Sequence, residues 1–323
     1  MKRYGRAVLV LLFLILLVAA YGVYGILETG RPRSIYSFSV IVRNSSDERW
    51  EAFREGLEQG AEDFGVYVSV ISTGRVNSPE EEAAIIRREM ENGADGIIVE
   101  PCARDEDRAM QSALSSVKAL QVCSDDIQGG EFMIDAVMPD SLGIGEAVAS
   151  ALLRGEGAGR GLRVGVLSGN QRQSAMQDVL ESFGASLAES GITPAWILSE
   201  EEIENGAELA EQMSSQPVQV IAALDDAATK QAAQLAAAWK GPSFRIYGEG
   251  RSTRNLYDLD YGVISALVVP DEYYMGYRCV ETMAGYFGIF RPDVKRQEIA
   301  YLTVTPETLH EEEKVGILFP TVR

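Results

Sequence analysis

Histidine is almost absent: the 323-residue chain has one, His310. That excludes multi-histidine zinc sites and HExxH helices, and leaves a histidine-based triad no second imidazole. Cysteine is nearly as scarce, with Cys102, Cys123 and Cys279. An odd number in an exported chain leaves at least one thiol unpaired. Bases are few, 29 Lys and Arg against 48 Asp and Glu, for a net charge of -19 and a pI near 4.6. So acidic a surface repels phosphate backbones, and no nucleic-acid partner is expected. The chain has no GxxxxGK[ST] phosphate loop and no GxSxG elbow. Gly157, Gly159 and Gly161 alternate with other residues, but they precede the apolar run Arg163–Leu167. A dinucleotide fingerprint follows its strand, so this is a loop. No cofactor, metal site or catalytic residue is expected.

What is present is an ordinary globular balance, 46% hydrophobic and 24% charged, over a length that suits about two domains. Lys2, Arg3 and Arg6 precede an apolar run from Ala7 to Leu27, near the ~20 residues that cross a bilayer. The leading bases place the N-terminus in the cytoplasm and the rest outside. An uncleaved anchor fits the length better than a cleaved signal peptide, whose small-residue site Ala20-Tyr21-Gly22 or Val23-Tyr24-Gly25 matches only loosely. Glu28–Ser34 reads as a stalk. Residues 1–35 hold five bases against Glu28 alone, so the exported body is more acidic than the whole.

The body alternates strand and helix patterns. Phe38–Arg43 is a strand, and Asp47–Phe64 a helix with Trp50, Phe53, Leu57, Ala61 and Phe64 at steps of three and four, Asp47 as N-cap and Gly65 as terminator. Strands follow at Val66–Ile71, Gly96–Val99, Ala119–Val122 and Met133–Val137, with helices at Ser78–Asn92 and Glu106–Lys118. The pattern repeats with helices Ser141–Leu153, Ser174–Ser190, Ile203–Ser214, Ala227–Ala238 and Tyr273–Phe287. Between them lie strands Arg163–Leu167, Pro194–Leu198, Val218–Ala222, Phe244–Tyr247 and Val263–Val268. Such alternation predicts an α/β fold of two similar Rossmann-like lobes with parallel sheets.

Parallel α/β sheets bind ligands at the carboxyl ends of their strands. Those ends carry Asn44 to Trp50, Glu100 to Cys102, Ser124 to Asp126, Ser168 to Arg172, Asp225 and Asp226, Gly248 to Gly250, and Pro270 with Asp271. Carboxylates, amides and one indole suit a polar small-molecule cleft; the same residues are also ordinary turn and cap formers. Cys102 and Cys123 each follow an apolar run and would be close enough to bridge if those runs were neighbouring strands, though small core fillers are the simpler expectation. The pairs Asp125/Asp126 and Asp225/Asp226 leave a glycoside hydrolase as the alternative function.

The segments SVIVRNSSDERWEAFREGLEQGAEDFGV (Ser39–Val66), ADGIIVEPC (Ala94–Cys102), PDSLGIGEAVASAL (Pro139–Leu152), ALDD (Ala223–Asp226) and VVPDEYYMGYRCVETM (Val268–Met283) resemble, in order and spacing, the periplasmic sugar-binding proteins of the ribose-binding type. The resemblance implies a type I clamp joined by a three-strand hinge. Residues 1–35 would form anchor and stalk, 36–138 plus 271–297 one lobe, and 139–270 plus 298–323 the other. It places Trp50 where an aromatic stacks on the sugar, Arg49 where a second aromatic stands, and Asp47 and Glu100 where the family has asparagines. Asp125 is preserved, while Asp126 and Gln177 replace arginines. Asp225 replaces an asparagine, Glu249 an aspartate and Pro270 a glutamine. Ribose specificity therefore does not carry over.

Carboxylates only accept hydrogen bonds, so Asp47, Glu100, Asp125, Asp225 and Glu249 suit a donor-rich polyol. Burying them together needs counter-charge from Arg43 and Arg49, a cationic ligand, or protonation. The expected ligand is sugar-like, with an amino sugar or amine as second choice. The resemblance implies an ABC permease or, for an anchored form, a membrane histidine kinase as partner, and closure driven by contacts that only the shut form makes.

Overall fold

The computed structural model describes residues 35–103, 117, 120–124, 133–157, 161–203, 206–289 and 299–319. The predicted membrane segment Ala7–Leu27, its stalk, all but Val117 of the helix predicted at Glu106–Lys118, and the site residues Asp125 and Asp126 lie outside them. Among the described residues no helix is long and apolar enough to cross a membrane.

Short apolar runs become the strands of two sheets. The first takes β1 (Ser37–Ile41), β2 (Tyr67–Val70), β3 (Gly96–Val99), β4 (Leu120–Cys123) and β5 (Met133–Val137), in the order β2-β1-β3-β4-β5, all parallel. The second takes β6 (Val164–Leu167), β7 (Trp196–Leu198), β8 (Val220–Ala223), β9 (Arg245–Glu249), β10 (Ala266–Pro270) and β11 (Tyr301–Val304), in the order β11-β10-β9-β8-β6-β7. Strands β3, β6, β8 and β10 are buried along their whole length, as sheets covered on both faces require. One strand departs from the expected all-parallel sheets: β11 runs antiparallel to β10, with Leu267 opposite Val304.

The helices are α1 (Trp50–Phe64), α2 (Pro79–Glu91), α3 (Ser141–Glu156), α4 (Ser174–Glu189), α5 (Glu200–Ile203), α6 (Ala207–Ser215), α7 (Asp226–Ala238), α8 (Thr253–Asp260), α9 (Glu272–Tyr286) and α10 (Glu312–Leu318). Several ends follow the expected chemistry. Ser78 caps α2 by accepting from Glu81 N, and Gly65 closes α1 at φ 63°, a conformation glycine adopts without penalty. Other ends differ. Asp47 is not the N-cap of α1: its carboxylate accepts from Arg49 N at 3.3 Å, the helix opens at Trp50, and no side chain caps it. The helix predicted over Ile203–Ser214 is two helices, because Gly206 sits at φ 65° and restarts the chain at α6. The strand predicted from Val263 begins at Ala266, since Val263 N and Ile264 N both return to Asp258 O.

Helices α1 and α9 meet through glycine. A Cβ on Gly56 would lie 1.9 Å from Tyr273 O, and one on Gly276 would lie 2.1 Å from Phe53 O. Beneath them Trp50, Phe53 and Leu57 are each 1% exposed, a burial that stabilises by about 1.5–3 kcal/mol per large apolar side chain. The chain passes from the first sheet towards the second near Pro139, returns after Pro270 into α9, and passes again near Ile299. These passages adjoin: Pro139 pairs with Ile299, and Asp271 N donates to Ala300 O at 2.9 Å. All three cysteines are free and buried, and the sulfur beside Cys123 is that of Cys279, on α9.

Candidate functional site

Loops from the ends of β1, β3 and β4 in the first sheet, and β8 and β9 in the second, bring charged side chains to one place. Arg49, in the loop after β1, is its centre. Nη2 donates to Ser124 Oγ at 3.0 Å; Nη1 lies 3.9 Å from Glu100 Oε1 and Nε 3.6 Å from Glu272 Oε1. The guanidinium carbon stands 4.3 Å above the ring centroid of Trp50, a cation–π distance. Arg49 Nε and Glu272 Oε2 are both buried without a hydrogen-bond partner among the described residues. Ser124 holds a left-handed φ of 60°, unusual for a residue with a side chain.

The carboxylates around Arg49 have different attachments. Glu100 is 3% exposed; its Oε2 accepts from Arg43 N at 2.9 Å and its Oε1 from Gln173 Nε2 at 3.4 Å. Asp225 caps α7 by accepting from Ala228 N at 2.6 Å. Burial raises the Asp225 carboxyl to about 6 against that hydrogen bond, with Glu200 pushing the same way. Burial first, opposed by Arg49, raises Glu249 and Glu272 each to about 8. For Arg49 burial works to lower the pKa, but Glu100, Glu272, Asp47 and Glu249 outweigh it and raise it. The guanidinium therefore stays charged.

A second cluster ties the sheets together. Arg43 Nη2 donates to both carboxylate oxygens of Glu200, at 2.8 and 2.7 Å, and Arg75 pairs with the same carboxylate. Burial favours the neutral acid, but the hydrogen bond and charge of Arg43, then of Arg75, lower the Glu200 pKa. Beside it Arg172 Nη1 donates to Asn77 O at 2.7 Å, Asn170 Nδ2 to Cys102 O at 2.8 Å, and Gln173 Nε2 to Pro101 O at 2.8 Å. These bonds run from second-sheet loops to first-sheet loops and hold the gap nearly shut. What remains is a cavity of about 60 Å³, lined by Arg43, Arg49, Glu100, Ser124, Gln173, Asp225 and Glu249 among others. A hollow of about 350 Å³ lies elsewhere, between α1, α8 and the chain's end, with Leu256, Tyr257 and Phe319 on its walls. The smaller cavity is the candidate because charged groups from both sheets converge on it.

Arg43, Arg49, Glu100, Asp225 and Glu249 thus meet at one cavity, as their positions at strand ends suggested. Trp50 is not among its lining residues: it is 1% exposed, packs edge-on to Phe53 at 5.1 Å and carries Arg49 on its face. The Asp47 carboxylate turns back to Arg49 N. Gln177 donates to Gln171 O at 2.8 Å, and the amide one turn earlier, Gln173, reaches the first sheet instead. Asp226 does not pair with Asp225 over a substrate position. It is 5% exposed and does not line the cavity, and its Oδ1 accepts from Arg251 N and Ser252 N at 2.7 and 2.8 Å. Glu272 and Glu200 were not among the expected residues. Glu272 follows the noted Pro270-Asp271 join directly, whereas nothing local marks Glu200. Among the described residues no group of His, Cys, Asp and Glu is placed to hold a metal ion.

The sequence pattern of a family described as periplasmic binding protein domain matches residues 38–288. No curated protein sequence matches the chain. Among solved structures, a carbohydrate transporter solute binding protein from Agrobacterium radiobacter, in complex with D-arabinose, is 15% identical with a TM-score of 0.78, covering 88% of this chain and 99% of its own. A Caulobacter myo-inositol binding protein bound to myo-inositol is 20% identical with a TM-score of 0.73, over 88% of this chain and 98% of its own. A XylFII-LytSN complex is 15% identical with a TM-score of 0.74, over 84% of this chain and 98% of that one.

Proposed function

We propose, from the premise that this chain belongs to the periplasmic binding protein family, that it captures a small hydroxyl-rich solute between two hinged lobes. The lobes are residues 36–138 with 271–297 and residues 139–270 with 298–323, and the three adjoining passages near Pro139, Pro270 and Ile299 are the hinge. One observation carries the reading: Arg49 and Glu100 from one sheet meet Asp225 and Glu249 from the other around a single cavity. Groups on opposite walls bind one solute together only when the gap is shut, so the solute stabilises the shut form by differential contact.

The cavity of about 60 Å³ is well below the ~300 Å³ at which small-molecule pockets usually begin. Binding therefore requires the bonds of Glu200, Asn170 and Gln173 to release and re-form around the solute. The name of one relative describes D-arabinose bound, and that of another myo-inositol; both are polyols, the class suited to acceptor-rich walls. For the partner, the apolar run Ala7–Leu27 supports an anchored protein that signals to a membrane histidine kinase, and the similarity to a protein solved within a two-protein complex points the same way. Delivery to an ABC permease is the reading for a released form. Calorimetric titration of the full chain with pentoses, hexoses and inositols tests the capture reading. Saturable one-to-one binding is expected, and binding of acidic solutes only would overturn it.

A further inference from the structure

Within the capture reading, we infer that the natural solute carries a cationic amine on its polyol frame, seated in the cavity against Glu249 and Glu100 beside Arg49, with Glu272 beside that guanidinium outside the cavity lining. The inference rests on how the charges are distributed. Arg43 also lines the cavity and its charge reaches Glu100 and Asp225, but its Nη2 is spent on both oxygens of Glu200, and Arg75 attends the same carboxylate. Arg49 is left facing Glu100, Glu272, Glu249 and Asp225, and it satisfies none of them fully: its approaches to Glu100 and Glu272 are 3.9 and 3.6 Å, both too long for a hydrogen bond. Glu272 is 5% exposed and its Oε2 has no hydrogen-bond partner among the described residues. A buried carboxylate oxygen without a donor is destabilising unless something binds there.

Arg49 also shows what this place accommodates. Its guanidinium lies on the indole of Trp50 at 4.3 Å, within a ring of acids, so the chain's own cation already occupies a cation-binding environment. A neutral sugar would offer hydroxyl donors but no positive charge to hold Glu249 and Glu272 ionised against their burial. An ammonium group supplies donors and charge together, and charge-assisted bonds are the stronger kind. The raised pKa values of Glu249 and Glu272, set first by burial and then by Arg49 and neighbouring acids, are what a cation-deficient pocket produces.

The test is calorimetry on the full chain with paired amino and neutral hexoses: glucosamine with glucose, galactosamine with galactose, mannosamine with mannose. In at least one pair the amino sugar is expected to bind at least about tenfold more tightly, or about 1.4 kcal/mol. Glu249→Gln and Glu272→Gln should each shrink that ratio, with the circular dichroism spectrum and the cooperative denaturation transition of each variant showing that it is folded. A neutral member that binds as well as or better than its amino partner in every pair overturns the inference and leaves the capture reading intact. Binding of neither member of any pair overturns the inference, while the capture reading is decided by the pentose and inositol titrations.

Discussion

Between the two sheets, Arg43 and Arg75 share one carboxylate, Glu200, while Arg49 stands among four, Glu100, Glu272, Glu249 and Asp225. The residue types are the same and the balance is inverted. Where cations are in excess, the carboxylate is held ionised and its pKa falls; where acids are in excess, burial prevails and their pKa values rise. The difference separates two tasks. Glu200 is fully partnered and ties one sheet to the other. The acids around Arg49 are under-partnered, and under the proposed capture that is the capacity a solute would fill.

The largest expected effect comes from removing the floor of the Arg49 cluster. Trp50→Ala should destabilise the fold by about 3–5 kcal/mol, the usual loss for a buried aromatic truncated in a core, measured by chemical denaturation. A small change would mean that the indole is a ligand platform rather than core.

The pH response comes next and separates the clusters by sign. Glu249 and Glu272 rise from an ordinary 4.5 to about 8, so the folded state binds more protons than the unfolded state between these values. Their contribution is complete below about 4.5 and is lost as pH climbs towards 8. The groups facing them are Arg49 and Asp226 for both, Asp225 and Glu272 for Glu249, and Arg251 and Asp47 for Glu272. Glu200, with its pKa lowered, contributes above 4.5 and loses that contribution as pH falls through its folded value. Denaturation midpoints of the parent and of Glu249→Gln across this range should show a flatter alkaline limb in the variant; parallel curves would contradict the assignment.

Smaller still is Glu200→Gln, which removes the shared acceptor of two arginines and should lower stability by about 1–3 kcal/mol. It should also expand the solute-free molecule in small-angle scattering, and an unchanged radius would deny Glu200 its tying role. Least is Lys230→Ala. Lys230 Nζ is 3.8 Å from Glu48, with side chains 39% and 52% exposed, and its loss should stay within about 0.5 kcal/mol in the same denaturation assay.

Much of the scaffold was legible from local chemistry. Strands β3 and β5 fall at Gly96–Val99 and Met133–Val137 as their apolar runs indicated, and α2 begins after Ser78 as its cap and proline required. Helix α8 escaped because Thr253–Asp260 is short and polar, and it depends on Ser252 accepting from Asn255 N at 3.4 Å. Strand β11 pairs backwards through a register that no short-range pattern encodes. At the candidate site, strand-end position pointed to Glu100, Asp225 and Glu249, which share one cavity. It did not reveal that Arg43 is committed to Glu200, a partner 157 residues away. The role of Arg43 is thus set by tertiary pairing, and so is the charge excess that defines the Arg49 cluster.

The exposed pair Glu48 and Lys230 gives the most direct test of capture between hinged halves. With Glu48→Cys and Lys230→Cys both spin-labelled, and the three native cysteines buried, electron–electron resonance reads the distance across the gap. The account predicts a broad distribution with a long component in the solute-free protein, which a bound solute collapses to the single short distance of the shut form. A distribution unchanged by a solute that calorimetry shows to bind would contradict it.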